Sequence, residues 1–111
     1  MQSNLNWVQK QLLSQSSSYS GLCGLSDDLI ISKLDDIGSL RSLIMGQYNS
    51  DVLLNRVFKA SMYCHLWSQG LSQNQIACIF EVSQHNVQIV ISNHKKYAEC
   101  RNLRKLRGYQ V

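Results

Sequence analysis

The 111-residue sequence contains no proline. Because proline is common in turns and edge strands, its absence favours helices over a β-rich or loop-rich fold. Charged residues make up 16% of the chain and hydrophobic residues 44%, which excludes a disordered chain and indicates one small globular domain. No apolar run approaches the roughly 18 residues needed to cross a bilayer. The N-terminal stretch MQSNLNWVQKQLL also lacks the apolar core of a secretion signal, so we expect a cytoplasmic protein with no membrane contact.

Patterns that bind metals or carry out catalysis are also missing. No two of the four cysteines (Cys23, Cys64, Cys78 and Cys100) form a C-x-x-C pair, so we expect reduced cysteines that pack in a core. Neither a disulfide framework nor a metal site is expected. The chain has no Gly-rich phosphate loop, acid pair or nucleophile–base motif. The sequence therefore predicts no enzymatic activity and no cofactor.

Positive charge is concentrated near the C-terminus. The formal net charge is +4, and six of the eleven Lys and Arg residues lie between positions 95 and 107, where Glu99 is the only acid. A basic segment on a small domain indicates a polyanionic partner, most often nucleic acid. A solvated helix face is the alternative interpretation of the same charges.

The chain divides into an N-terminal arm with a serine-rich linker, residues 1–20, and a helical domain, residues 21–111. Apolar residues at helical spacing in the arm are candidates for self-association into a homodimer or a higher homo-oligomer. Packing of the arm onto its own domain is the alternative. The apolar residues of the arm are Leu5, Trp7, Val8 and Leu12.

Helix boundaries in the first half of the domain are predicted from capping residues. Ser26 is a candidate N-cap for a helix that ends at Gly38, and a short helix follows over 39–46. Ser50 is the candidate cap of a longer helix over 51–69, which Gly70 ends. The apolar side of this longer helix is predicted to comprise Val52, Leu53, Val57, Phe58, Ala60 and Cys64, with Trp67 as a further candidate.

Residues 73–92 have the pattern of a helix-turn-helix. Ser72 and Gln75 form an S-x-x-Q capping box, a break follows at 81–83, and Ser83 is a second N-cap candidate. Ala77 is small enough for two helices to cross closely. Glu81 occupies the turn position that usually has a left-handed backbone and is often glycine. The predicted motif core is Ile76, Ala77, Phe80, Val82, Val87 and Val90.

The helical pattern continues from Gln84 to Gly108 without a breaker, so a long basic C-terminal helix is predicted. It is either continuous with the second motif helix or separated from it by a bend near Tyr97. Two core helices of an unrelated α-helical domain remain the structural alternative to the motif.

If the motif binds DNA, the N-terminal end of its second helix lies in a groove and reaches the base edges. The absence of Arg from its first turns, together with Gln and Asn that pair with adenine, favours A/T-rich sites. These amides could instead serve solubility while DNA is recognised by its shape. The candidate base contacts are Ser83, Gln84, His85, Asn86 and Gln88. The candidate phosphate contacts are Gln73, Asn74, Lys95, Lys96, Arg101, Arg104, Lys105 and Arg107.

The three histidines receive separate interpretations. His85 is predicted to contact DNA or to be exposed, and no metal or catalytic partner lies at a suitable spacing. His65 is predicted to lie on a helix face. His94 lies beside the basic run and would add to phosphate attraction when it is protonated.

From about residue 62 to the C-terminus, the order of YCHLWSQGLS, IACIF, EVS and a polar–apolar helix with a basic tract resembles the Pap-type regulators of bacterial fimbrial (adhesin biosynthesis) operons. The replacement of Gly by Glu81 also fits that group. A weaker resemblance is to KorA-like plasmid repressors. The resemblance covers roughly half the chain and implies an oligomeric, sequence-preferring DNA-binding regulator, without implying a particular operon.

The expected function is therefore that of a bacterial, plasmid or phage transcriptional regulator that binds operator DNA as an oligomer. Expected partners are double-stranded DNA and a second copy of the chain, with RNA polymerase as a further candidate. The expected location is the bacterial cytoplasm, in association with the nucleoid. Two alternatives are a transposase or recombinase accessory subunit and an adaptor whose helix-turn-helix binds a protein.

Overall fold

The computed structural model describes residues 25–48 and 50–111, and within them the chain is entirely helical, with no strand. The predicted all-α class is confirmed. The arm, with Leu5, Trp7, Val8 and Leu12, lies outside the described residues. The helices are α1 (Asp27–Ser32), α2 (Ile37–Gln47), α3 (Ser50–Leu54), α4 (Arg56–Ser68), α5 (Gln73–Phe80), α6 (Gln84–Ser92) and α7 (Tyr97–Leu106).

Most of these helices begin at a residue whose side-chain oxygen accepts a hydrogen bond from the backbone N–H three residues later. Such an N-cap satisfies one of the amides that the first turn leaves without a partner within the helix, which contributes about 1 kcal/mol. The predicted caps Ser26, Ser72 and Ser83 act in this way. Two further caps were not predicted, and they are Asp36 and Asn55.

The first two helices have boundaries that differ from the prediction. Helix α1 ends at Ser32, and Gly38 lies in the first turn of α2 rather than at the end of α1. Asp36 determines this boundary, because it accepts hydrogen bonds from the Ser39 amide at 3.0 Å and from the Ser39 hydroxyl. The Ser39 hydroxyl, with a smaller effect from the amide, lowers the pKa of Asp36 below its ordinary value. The cap therefore outweighs the helix-ending tendency of glycine.

The predicted long helix over 51–69 is interrupted. Ser50 is the first residue of α3 rather than a cap, and α4 starts anew after Asn55, whose side chain accepts from the Phe58 amide at 2.9 Å. The interruption changes the phase of the helical pattern. Val57, predicted to lie on the apolar side, is therefore 73% exposed, and Leu54 is 70% exposed.

Helix α4 lies at the centre of the fold. It packs against α3, α5, α6 and α7, and all residues from Ser61 to Gln69 are buried. A helix surrounded on several sides buries its whole circumference, so an amphipathic pattern is weak there. As predicted, α4 ends before Gly70, which has a φ of +120°. A Cβ at this position would lie 2.5 Å from the Tyr109 ring, so glycine lets the C-terminal tail approach closely.

The pattern that runs from Gln84 to Gly108 corresponds to two helices, with the bend at residues 93–96. At the start of α7, the Tyr97 ring stacks on the Trp67 ring of α4, with centroids 5.6 Å apart and planes 11° apart. The predicted basic C-terminal helix is thus ten residues long, and it is folded back against α4.

The cysteines of the described residues form no disulfide. Cys64 on α4 and Cys100 on α7 are fully buried and hydrogen-bond each other, whereas Cys78 on α5 is exposed. The neighbouring Cys100 thiol and burial raise the pKa of Cys64 far above its ordinary value. The buried pair packs as predicted for reduced cysteine in a helical core, whereas the same prediction is wrong for the exposed Cys78.

Candidate nucleic-acid interface

Helices α5 and α6 form the predicted helix-turn-helix. Helix α5 has eight residues and begins with a complete capping box, in which Ser72 Oγ accepts from the Gln75 amide at 3.1 Å. In return, Gln75 Oε1 accepts from the Ser72 amide at 2.8 Å. A three-residue turn then leads to α6, which has nine residues. The two helices pack against each other, and α4 contacts both.

Glu81 has the left-handed conformation that its position predicts, with φ of 56° and ψ of 45°. It is the only non-glycine residue with positive φ among residues 25–48 and 50–111. The turn is closed by the Val82 amide, which donates to the Ala77 carbonyl at 3.1 Å. Arg41 Nη2 on α2 lies 2.6 Å from Glu81 Oε1, an ion pair at a partly exposed site.

Replacement of Glu81 by glycine is expected to give a protein about 1 kcal/mol more stable than replacement by alanine. Both variants lose the ion pair with Arg41, but only alanine keeps the steric cost of a Cβ in the left-handed region. Urea unfolding of the two variants measures the difference. Equal stabilities would mean that the turn relaxes to another conformation when the carboxylate is removed.

The predicted motif core is buried to different extents. Ile76, Ala77 and Val87 are buried, whereas Phe80, Val82 and Val90 are partly buried and pack against the core. Two fully buried core residues were missed, Ile79 and Ile91. Their spacing was a usable signal, because Ile79 lies three residues after Ile76 and Ile91 four after Val87.

The candidate base-contact residues form an exposed polar surface at the N-terminal end of α6. All five residues are exposed: Ser83, Gln84, His85, Asn86 and Gln88. Ser83 also caps the helix, because its hydroxyl accepts from the Asn86 amide at 3.1 Å. The Gln84 amide Nε2 donates to Gln73 Oε1 at 2.7 Å, which joins the N-terminal ends of α5 and α6. One predicted base contact and one predicted phosphate contact therefore lie side by side.

Arg104 was predicted to contact phosphate, and the structure contradicts this. Its guanidinium is buried, and Nη1 donates to the carbonyls of Trp67 and Leu71 at 2.7 and 2.8 Å. Nε donates to the Gln110 carbonyl, and the group lies over the rings of Trp67 and Tyr109. Arg104 thus fastens α7 and the tail to the end of α4.

Arg107, also predicted to contact phosphate, is likewise drawn into the fold, with its side chain 15% exposed. It donates to the Ser68 carbonyl at 3.1 Å and to Asp27 Oδ2 at 3.2 Å. Both arginines follow Cys100 and Leu103 on one helix face, at spacings of three, four and seven residues. That spacing was the signal that they face the core.

The other predicted phosphate contacts are accessible. Asn74, Lys95, Arg101 and Lys105 are exposed, whereas Gln73 and Lys96 are partly buried. Arg101 and Lys105 are four residues apart and share a face of α7. Lys95 lies in the bend after α6. The structure also places Arg56 and Lys59 of α4 beside α6 and Lys95, a proximity that no local sequence pattern indicated.

Two histidines differ from their predicted roles. His65 is fully buried rather than on an open helix face, and its Nε2 lies 3.5 Å from Asp27 Oδ1. Burial lowers the pKa of His65 to about 4, although the Asp27 carboxylate opposes the shift. Burial, with Lys95 and Lys96, also lowers the pKa of His94. His94 is therefore mainly neutral near pH 7 and supplies little of the expected phosphate attraction.

Comparison of the chain with protein-family models, with curated proteins and with solved structures gives no match. In the described part of the chain, no three His, Cys, Asp or Glu side chains converge as a metal site would require. None of the helices there has the length and apolar character needed to span a bilayer.

Proposed function

We propose that the chain is a DNA-binding transcriptional regulator that occupies operator or promoter DNA through α5 and α6. The observation that carries this proposal is the exposed polar surface at the start of α6, held behind a left-handed turn and joined to α5 by the Gln84–Gln73 hydrogen bond. Exposed amides at this end of a second motif helix can reach base edges in the major groove.

The chemistry of the exposed side chains determines which of them we assign to bases and which to phosphates. Gln84, Asn86 and Gln88 present amides that can pair with the N6 and N7 atoms of adenine, so we expect A/T-rich sites. Lys95, Lys96, Arg101 and Lys105 are the cations that could neutralise phosphates, now that Arg104 and Arg107 are assigned to the fold. Phosphate contacts fix position and strength, whereas the amides provide the sequence preference.

Salt dependence provides a quantitative test of this assignment. Four phosphate contacts per protomer predict a slope of log K against log salt of about −3 to −4 per protomer. Six contacts, as the sequence predicted for the basic side chains, would give a slope of about −5. The full chain is titrated against a duplex selected from random DNA, with fluorescence anisotropy as the readout. The symmetry of the selected site also reports whether a dimer or a higher oligomer binds.

Two double variants separate sequence preference from general affinity. Gln84→Ala with His85→Ala should reduce the preference for the selected site to near that for unrelated DNA. Lys95→Ala with Lys96→Ala should weaken binding to all sequences alike, by about tenfold near physiological salt. Lys33→Ala, a charge control just after α1, should change neither. DNA binding unchanged in both double variants would contradict the proposed interface.

The alternatives give different outcomes in the same experiments. A protein-binding adaptor would show neither steep salt dependence nor sequence preference. A transposase or recombinase accessory subunit would bind a sequence found at recombination sites rather than at promoters. If the regulator proposal holds, the chain acts on the bacterial nucleoid, and RNA polymerase becomes a partner to test on promoter DNA.

A further inference from the structure

A groove runs between the N-terminal half of α4 and one flank of α6. Its volume is about 840 Å³, within the range of small-molecule binding sites. Leu54, Val57, Ala60, Ile89 and Val90 provide an apolar lining. Three of them are unusually exposed for aliphatic residues, with Leu54 at 70%, Val57 at 73% and Ile89 at 44%. Exposed aliphatic side chains gathered along one groove are typical of a binding surface.

The charges around this groove have one sign. Arg56, Lys59 and Lys95 contribute to the lining, and none of its described residues is acidic. His94 also lines the groove, and Lys95 is one of the causes that lower its pKa. Cations beside an apolar lining complement a ligand that has both an anionic group and an apolar body.

Tyr63 also lines the groove, although its hydroxyl is buried. Its side chain is 1% exposed, and its hydroxyl has no hydrogen-bond partner among the described residues. Burial raises the pKa of Tyr63, so the hydroxyl stays protonated and can donate. Buried hydroxyls in native proteins nearly always have a partner. Because this hydroxyl is itself buried, the ligand contacts come from the cations and the aliphatic side chains of the groove.

We propose that this groove binds a small anionic ligand with an apolar body, of the chemical class of medium-chain carboxylates. The carboxylate pairs with Arg56, Lys59 and Lys95, and the chain covers Leu54, Val57 and Ile89. Asn86 and Lys95 are also proposed DNA contacts, so a bound ligand competes with DNA for them. This regulatory consequence, unlike the binding itself, rests on the proposed function.

Binding is tested first without DNA, by calorimetric titration of the full chain with decanoate below its micelle-forming concentration. Saturable binding at one site is expected. Decanol, which lacks the charge, and butyrate, which lacks the long apolar body, should each bind at least tenfold more weakly. Equal affinity for decanol and decanoate, or no saturable binding of decanoate, overturns the proposal.

Variants then assign the site. Lys59→Ala should weaken decanoate binding about tenfold, whereas Lys33→Ala should leave it unchanged. Tyr63→Phe should change neither decanoate affinity nor the thermal midpoint appreciably, because it removes a buried hydroxyl that lacks a partner.

The groove could instead be a contact between copies of the chain. Val57→Asp with analytical ultracentrifugation distinguishes that case, because loss of a dimer without any decanoate binding by the parent chain overturns the ligand proposal.

A final measurement adds saturating decanoate to the protein–DNA complex. DNA affinity should fall at least fivefold for the parent chain and change little for Lys59→Ala. If the chain binds decanoate but no DNA, the ligand site stands and the regulator function fails. If it binds DNA but not decanoate, the regulator function stands and the ligand site fails.

Discussion

Replacement of Arg104 by alanine is expected to lower the free energy of unfolding by about 3 kcal/mol. The guanidinium donates to two carbonyls near the end of α4, Trp67 and Leu71, from a buried position. Hydrogen bonds from a charged donor contribute roughly 1.5–3 kcal/mol each, and burying an acceptor without a partner costs a similar amount. Part of this loss is offset, because the arginine itself no longer has to be desolvated.

The matched control is Arg101→Ala, three residues earlier on the same helix. Arg101 is exposed, so its replacement should change the stability by less than about 0.5 kcal/mol and should act on DNA affinity instead. Urea unfolding monitored by circular dichroism compares the two variants. If the Arg104→Ala protein were as stable as the parent but bound DNA more weakly, Arg104 would be a phosphate contact after all.

Acidification from about pH 7.5 to about pH 5 is expected to lower the unfolding free energy by about 2 kcal/mol through His65 alone. The folded pKa of His65 is about 4, below the ordinary value of 6.5. Between these values the unfolded chain binds more protons than the folded one, so stability rises with pH and is lost as pH falls. The loss begins near pH 6.5 and is complete below pH 4.

Two substitutions isolate this contribution. His65→Gln should remove most of the pH dependence in that window, although it lowers stability at neutral pH because His65 is buried beside Asp27. His85→Gln, at an exposed position, should keep the dependence of the parent chain. Thermal unfolding at several pH values provides the comparison. An unchanged slope in His65→Gln would assign the acid sensitivity to other groups.

Local interactions account for the parts of the fold that were predicted correctly. The capping box of Ser72 and Gln75, the cap at Ser83 and the left-handed Glu81 involve partners within about five residues. The break at Asn55 was missed because the residues on both sides of it have helical patterns. A single asparagine is also a weak signal for a helix start, since several residue types serve as N-caps. The boundary at Asp36 was missed for a related reason, since Gly38 offered a competing signal.

The site residues that only need to be exposed, such as the amides of α6, could be predicted from the sequence. Arg104 and Arg107 could not be assigned from charge, because their partners on α1 and near the end of α4 lie more than thirty residues away in sequence. The groove also depends on tertiary structure. The break at Asn55 leaves Leu54 and Val57 exposed, and folding brings Lys59 and Lys95 to one lining.

The buried thiols of Cys64 and Cys100 report on the opening of the fold, because their rate of alkylation depends on how often they become exposed. They lie where α7 packs on α4, so a thiol reagent can reach them only when the two helices separate. The raised pKa of Cys64 keeps it from reacting as a thiolate while it is buried. Cys78 is exposed and reacts without any opening. In a Cys23→Ser background, the ratio of slow to fast alkylation therefore measures how often the C-terminal helix detaches from the folded protein.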